Sequence, residues 1–281
     1  MSFQNNIFFK KVKDYSVSKE IFELHHNPEY DLLITFPKPD LDKLSRYYES
    51  DDYISHTDGK RSLFEKIYHL IKSSALKSKV KLINAQASVG SLLDIGAGTG
   101  DFLVVAKKDG WQTTGIEPSE KARATAIRKG VYFAENLSDL ENHSFDIITM
   151  WHVLEHVPNL NDYLLELKRL LKPNGVIFIA VPNFKSFDAT YYGKFWAAYD
   201  VPRHIWHFSK TAIQKLFTEK EMKLAEVLPM KFDSFYVSLL SEKYKTGNMN
   251  YLKAFFVGWK SNLSAKRSKE FSSHIYIIKN K

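Results

Sequence analysis

Not one of the 281 residues is cysteine. That absence excludes disulfides, thiolate metal sites and a cysteine nucleophile, and it neither requires nor forbids a reducing compartment. Runs of about twenty apolar residues are also missing, so no segment reads as a membrane span. Near the start, Lys10, Lys11 and Lys13 have no apolar stretch behind them. Without a signal-peptide h-region, a soluble cytoplasmic protein is the expectation. No RNA-binding module is visible, although the formal charge is +8, from 40 basic against 32 acidic residues. Lys66, Lys72, Lys77, Lys79 and Lys81 are scattered through helical stretches and read as a solvated face rather than a nucleic-acid footprint. No stable nucleic-acid partner is expected.

What is present begins with Leu92-Leu93-Asp94-Ile95-Gly96-Ala97-Gly98-Thr99-Gly100, an apolar strand running into an acid and three spaced glycines. Glycine can take positive φ and lets a ligand approach the backbone, while the helix that follows presents free N–H groups at its start. The dinucleotide fingerprint is G-x-G-x-x-G. Gly96, Gly98 and Gly100 read G-x-G-x-G and follow Asp94, a carboxylate that suits a cationic ligand better than a pyrophosphate. Glu117 closes the next apolar run, where its carboxylate can accept from both hydroxyls of a ribose. Ser119 then reads as a helix cap.

With these residues in place the chain resembles the class I S-adenosylmethionine-dependent methyltransferases over roughly residues 91–209. Further motifs carry the resemblance: Phe145-Asp146-Ile147-Ile148, Trp151-His152-Val153-Leu154-Glu155-His156-Val157-Pro158, Leu171-Lys172-Pro173-Asn174-Gly175 and Val181-Pro182-Asn183. Their order is most like the branch containing ubiquinone-biosynthesis O-methyltransferases and related bacterial enzymes. It implies an α/β fold: a Rossmann-like, seven-stranded, mostly parallel sheet with helices on both faces and the last strand antiparallel.

Alternation along the chain fits that architecture. Strands are expected at 91–95, 113–117, 131–134, 145–150 and 176–181, with helices at 101–108, 120–129 and 160–171. Two more strands, 224–233 and 273–279, are expected to enclose helical runs at 234–245 and 251–266. The division read from this is an N-terminal hairpin and helical appendage over 1–60 and a methyltransferase domain over 61–281, with a lid at 184–209 and a C-terminal helical insertion at 234–270. The hairpin itself is expected from strands at 20–25 and 30–36. Helices are expected at 40–50 and 62–74, and the aromatic segment 47–56 is read as closing the cofactor pocket or as plain packing.

For S-adenosylmethionine the resemblance assigns Gly96, Gly98 and Gly100 to the amino-acid end, Asp94 near it, Glu117 to the ribose, Pro118 to the adenine face, Asn136 and Leu137 to the adenine edge, and Trp151 to a wall of the site. Asn136 as a turn residue and Trp151 as a core aromatic stay open beside those roles. Methyl transfer needs the acceptor held about 3 Å from the methyl carbon, and a hydroxyl acceptor needs a base. His152 and His204 are the candidates, each with the alternative of bonding loop carbonyls.

His152, Glu155 and His156 also spell H-x-x-E-H, the inverted zincin motif. Because the stretch follows a strand in the methyltransferase register, no metal is assigned, although some relatives hold a divalent ion there. Glu155 and His156 are expected to bond the local backbone. The lid's aromatics and titratable groups, among them Tyr191, Tyr192, Trp196, Tyr199, Arg203 and Trp206, point to a small-molecule methyl acceptor, oxygen first. An RNA or protein methyltransferase and a non-catalytic S-adenosylmethionine-binding protein remain as alternatives, and the oligomeric state is unread.

Overall fold

Val176 through Val181 form a continuous apolar run buried on both faces, the mark of a strand in the middle of a sheet covered on each side. The computed structural model describes residues 3–40, 46–48 and 63–281. Three strands come first, β1 (Ile7–Lys13), β2 (Ile21–Asn27) and β3 (Leu32–Phe36), and helix α1 (Leu63–Asn84) leads into the main alternation. That alternation runs β4 (Ser91–Ile95), α2 (Asp101–Lys108), β5 (Gln112–Ile116), α3 (Glu120–Ile127), β6 (Phe145–Trp151), α4 (Leu160–Leu170) and β7 (Leu171–Pro182). After it come α5 (Phe187–Tyr192), β8 (Trp206–His207), α6 (Lys210–Thr218), β9 (Met222–Pro229), α7 (Asp233–Thr246), α8 (Tyr251–Ser268) and β10 (Ser273–Asn280).

Among the described residues the strands form two sheets, and the larger has the order β5-β4-β6-β7-β10-β9. β5, β4, β6 and β7 are parallel, and β10 is antiparallel to both β7 and β9. Side chains alternate between the two faces of a strand, so neighbours in sequence enter different cores. Leu93, Ile148 and Ile177 pack with Leu160, Leu164 and Leu167 of α4 and with Ile213 and Leu216 of α6. Leu92, Ile147 and Phe178 pack on the opposite face with Val80 and Ile83 of α1 and Phe102 and Leu103 of α2.

One expected strand is missing: the sheet has six strands, and 131–134 is reduced to a single bridge between Gly115 and Phe133. Two hydrogen bonds hold it there, Gly115 N–H to the Tyr132 carbonyl and Ala134 N–H to the Gly115 carbonyl. The chain then turns at Asn136 into a short 3₁₀ helix, Leu137–Asp139, before a second residue can pair. Helix starts follow local chemistry: Ser119 accepts from Ala122 N–H, and Ser209 from Ala212 N–H.

The N-terminal hairpin is part of a four-stranded sheet of order β1-β2-β3-β8, whose first strand was not expected and whose last comes from the segment read as a lid. Within 184–209 most aromatics are spent on packing. Tyr192, Trp196 and Tyr199 are buried with Val12, Phe22, Leu24 and Leu33 of the small sheet, while Tyr191 is exposed. Of the expectations for 40–62, Asp40, Arg46, Tyr47 and Tyr48 fall within the described residues and the rest lie outside them.

Candidate functional site

All three loop glycines take positive φ, +72° at Gly96, +53° at Gly98 and +74° at Gly100, so each uses conformational space that other L-residues rarely enter. Their surroundings differ. A Cβ on Gly96 would stand 2.3 Å from Val153, and one on Gly100 would stand 2.7 Å from the Ala126 Cβ. Among the described residues nothing lies within 4 Å of the corresponding point on Gly98, which leaves one open cradle in the loop.

The carboxylate of Glu117 reaches across to that cradle from the end of β5. Its Oε2 accepts from Gly98 N–H at 2.8 Å and its Oε1 from Ser119 N–H at 2.9 Å. Asp94 lies beneath the loop, 2% exposed, and accepts from the Thr149 hydroxyl at 2.6 Å. Burial lifts its carboxyl to about 7, against the opposing Thr149 hydrogen bond and the charge of Lys79. Pro118 is exposed at the rim. Asn136 is exposed too, but its backbone N–H and side-chain amide both donate to Asp139, so it opens the 3₁₀ turn, and Leu137 is half-buried against the core.

Trp151 ends β6. Its ring stands edge-on to Phe102 and lies under the Lys79 ammonium, 4.2 Å from the ring centroid, and its buried Nε1 has no hydrogen-bond partner among the described residues. Lys79, expected as part of a solvated face, is half-buried, and burial lowers its pKa despite the nearby charges of Asp94 and Asp233. The α1 register places it over the sheet rim, and nothing in its own neighbourhood of lysines announces that.

His152 follows at φ +59°, a left-handed conformation uncommon for a non-glycine residue. Its backbone N–H donates to the Ala180 carbonyl. Both ring nitrogens face carboxylates: Nε2 is 3.1 Å from Asp233 Oδ2 and Nδ1 is 3.5 Å from Glu155 Oε1. Burial opposes a charge on the ring, but the two carboxylates outweigh it and raise the pKa to about 10. Where the sequence pattern puts Asp233 at the end of a strand, it begins α7, and nothing local marks it as the partner of a histidine far back in the chain.

Glu155 and His156 depart from the expectation of bonding only their own backbone. Glu155 is 1% exposed and points its carboxylate between His152 and His204, with His204 Nε2 4.0 Å from the same Oε1. His156 Nδ1 lies 3.1 Å from the Arg203 carbonyl and 3.0 Å from the Tyr48 hydroxyl. Burial, then the neighbouring His204, push the His156 imidazole down to about 4. His204 is buried, and its Nδ1 donates to the Ala198 carbonyl at 2.9 Å. Glu155, His156 and His204 bring one ligand atom each to within 4.8 Å of one another.

The rim therefore combines an open glycine cradle with a carboxylate across it, a cation over an indole, an orphaned indole N–H, and an imidazole gripped by two acids. These features suit a ligand with a hydroxylated sugar and a charged amino-acid arm.

A family model for a methyltransferase domain matches residues 67–226, more than half of the chain. The ubiquinone biosynthesis O-methyltransferase of Rickettsia typhi is 26% identical over 231 residues, covering 74% of this chain and 90% of that protein. Phosphoethanolamine N-methyltransferase 2 of Haemonchus contortus, solved with S-adenosyl-L-methionine, has a TM-score of 0.54 at 17% identity, covering 89% of this chain and 63% of that one. Magnesium protoporphyrin IX methyltransferase of Synechocystis, solved with bound SAH, has a TM-score of 0.52 at 15% identity, covering 85% and 94%. At such identities the solved structures share the fold.

Proposed function

The chain belongs to the class I S-adenosylmethionine-dependent methyltransferases, and on that footing we propose that it methylates a small-molecule acceptor at a hydroxyl oxygen. One observation carries this reading: His152, at the carboxyl end of β6, is held 3.1 Å from Asp233 in an ion pair that makes it a strong base once its proton is lost. The similarity to the Rickettsia enzyme, named as an O-methyltransferase, supports oxygen over nitrogen or carbon.

When bound, S-adenosylmethionine supplies a methyl group on a positively charged sulfonium, and that charge works against a second cation at His152. The residues of the rim divide the remaining work. Gly98 leaves room for the ligand against the backbone, flanked by Gly96 and Gly100. Glu117 accepts from the ribose hydroxyls, using the carboxylate that also accepts from the Gly98 N–H. Pro118 covers the adenine, with Asn136 and Leu137 at its edge. Lys79 offers its ammonium to the ligand's carboxylate, Asp94 lies below its ammonium, and Trp151 walls the methionine arm.

On the acceptor side, His152 takes the hydroxyl proton at Nδ1, the nitrogen with the looser 3.5 Å contact, while Nε2–H stays on Asp233. His204 acts behind Glu155 as a positioning residue rather than as the base. The segment 184–209 closes this side as a packed wall. The test is transfer of labelled methyl from S-adenosylmethionine to a panel of phenols, alcohols and amines: label in oxygen supports the reading, and label confined to nitrogen, carbon or macromolecules overturns it.

A further inference from the structure

Helix α8 is built with its large apolar residues outward. The face packed against the protein carries Ala254, Val257, Gly258, Ser261 and Ala265. Gly258 meets Phe235 so closely that a Cβ would stand 3.0 Å from the Phe235 Cα. The opposite face carries Leu252, Phe255, Phe256, Trp259 and Leu263, between 45% and 76% exposed. Their spacing of three, one, three and four residues makes one continuous stripe. Phe232 and Tyr236, at the start of α7, are exposed as well. A water-facing helix gains nothing from this inversion, since apolar side chains left in water forgo the free energy of burial.

Charge indicates what covers the stripe. Residues 251–268 contain no acid, and Lys260, Lys266 and Arg267 lie exposed along the helix. A second copy seated symmetrically on this face would bring like charges together. A bilayer with anionic headgroups meets both requirements, taking the aromatics at the headgroup–acyl boundary and the cations at the phosphates. Beside the stripe, Phe187, Tyr191, Leu252 and Phe256 line a groove of about 520 Å³ with Lys253 and Lys260 at its edge, an apolar trough next to cations. Among the described residues no helix is long and apolar enough to cross a membrane, so contact is confined to one leaflet.

We propose that α8 and the start of α7 form a docking face for the surface of an anionic phospholipid bilayer. The experiment is co-sedimentation of the full chain with vesicles of phosphatidylcholine alone or with about one-third phosphatidylglycerol, at low and high salt. The anionic vesicles should bind the chain at least tenfold better, and salt should weaken that binding. Trp259 is the most exposed tryptophan described, so its emission should shift to the blue on binding. Phe255→Ser with Trp259→Ser should abolish binding, and Lys266→Glu with Arg267→Glu should remove the preference for anionic lipid. All four side chains are exposed, and unchanged melting curves will show that the variants fold. Failure of the unaltered chain to bind anionic vesicles, equal binding by the aromatic variant, or a concentration-dependent dimer that the aromatic variant dissolves would overturn the proposal.

Discussion

His152 Nε2 stands 3.1 Å from Asp233 Oδ2, so the end of a central parallel strand and the start of the helical insertion after β9 share one ion pair. The carboxylate keeps the imidazole charged through neutral pH, and burial alone would do the opposite.

The pair sets the pH profile. With the imidazole raised to about 10, only its neutral minority can accept a proton at pH 7, so kcat/KM should climb with pH toward that value. Removing the Asp233 charge lowers the pKa, so in Asp233→Asn the ascending limb should move to lower pH and the plateau should fall, because the neutral ring is then a weaker base. His152→Gln should lose about 10²–10⁴-fold in kcat while S-adenosylmethionine affinity by calorimetry changes little. A limb that stays in place in Asp233→Asn removes the pair from the mechanism.

Glu117 is the test of the ribose assignment. Its carboxylate accepts from the Gly98 and Ser119 N–H groups and is proposed to turn to the sugar hydroxyls. Glu117→Ala should weaken S-adenosylmethionine and S-adenosylhomocysteine by about 1–3 kcal/mol, the value of hydrogen bonds to a charged acceptor. Equal affinity in titration calorimetry refutes the assignment.

The loop glycines should separate into two kinds. Gly100→Ala combines φ +74° with a contact of 2.7 Å to Ala126, so it should lower the melting temperature measurably, with overpacking of about 1–3 kcal/mol added to strain of about 1–2 kcal/mol. Gly98→Ala meets no neighbour among the described residues and should cost stability only about 1–2 kcal/mol through its φ, while losing most S-adenosylmethionine binding because the methyl fills the cradle. The reverse ranking in binding and melting would contradict the cradle.

Arg203 joins three parts of the chain: its guanidinium donates to Asp200 and Asp14, at 2.6 and 3.2 Å from Nη2, and to the Tyr47 carbonyl at 2.7 Å. Since it is 3% exposed, Arg203→Ala leaves the buried Asp14 and the half-buried Asp200 without their cationic partner and should cost about 3–5 kcal/mol in urea unfolding. Burial opposes ionisation of Asp14 and Asp200, but the Arg203 charge prevails and holds both below the ordinary value near 4. Their contribution is therefore complete above that value and is lost as pH falls through the lowered ones. Arg203→Ala should flatten the acid limb of the stability curve, and a limb of unchanged steepness would argue against the network.

The elements legible from sequence were those whose cause is local. Gly96, Gly98 and Gly100 take the positive φ that their spacing announced, Ser119 and Ser209 cap the helices they precede, and Leu160, Leu164 and Leu167 share one buried face. Helix 101–108 matches its expectation to the residue, and β10 lies antiparallel beside β7 as the family pattern implied. The third strand failed where local pattern ran against tertiary demand: 131–134 has strand character but sits at the sheet edge, and the Asn136 turn leaves it only one bridge.

Hydrogen bonds to the next turn, side-chain periodicity and glycine's steric freedom act over a few residues, so the sequence alone determined the glycine loop, the alternating elements and the family they belong to. Which charges meet was decided by the folded chain: Asp233 on His152, Lys79 over Trp151, Glu155 between two histidines and Arg203 on Asp14. Apart from Glu155 with His152, three residues away, each of those contacts joins segments distant in sequence, and only the folding of the sheets and of the elements packed on them brings the partners within a few ångströms.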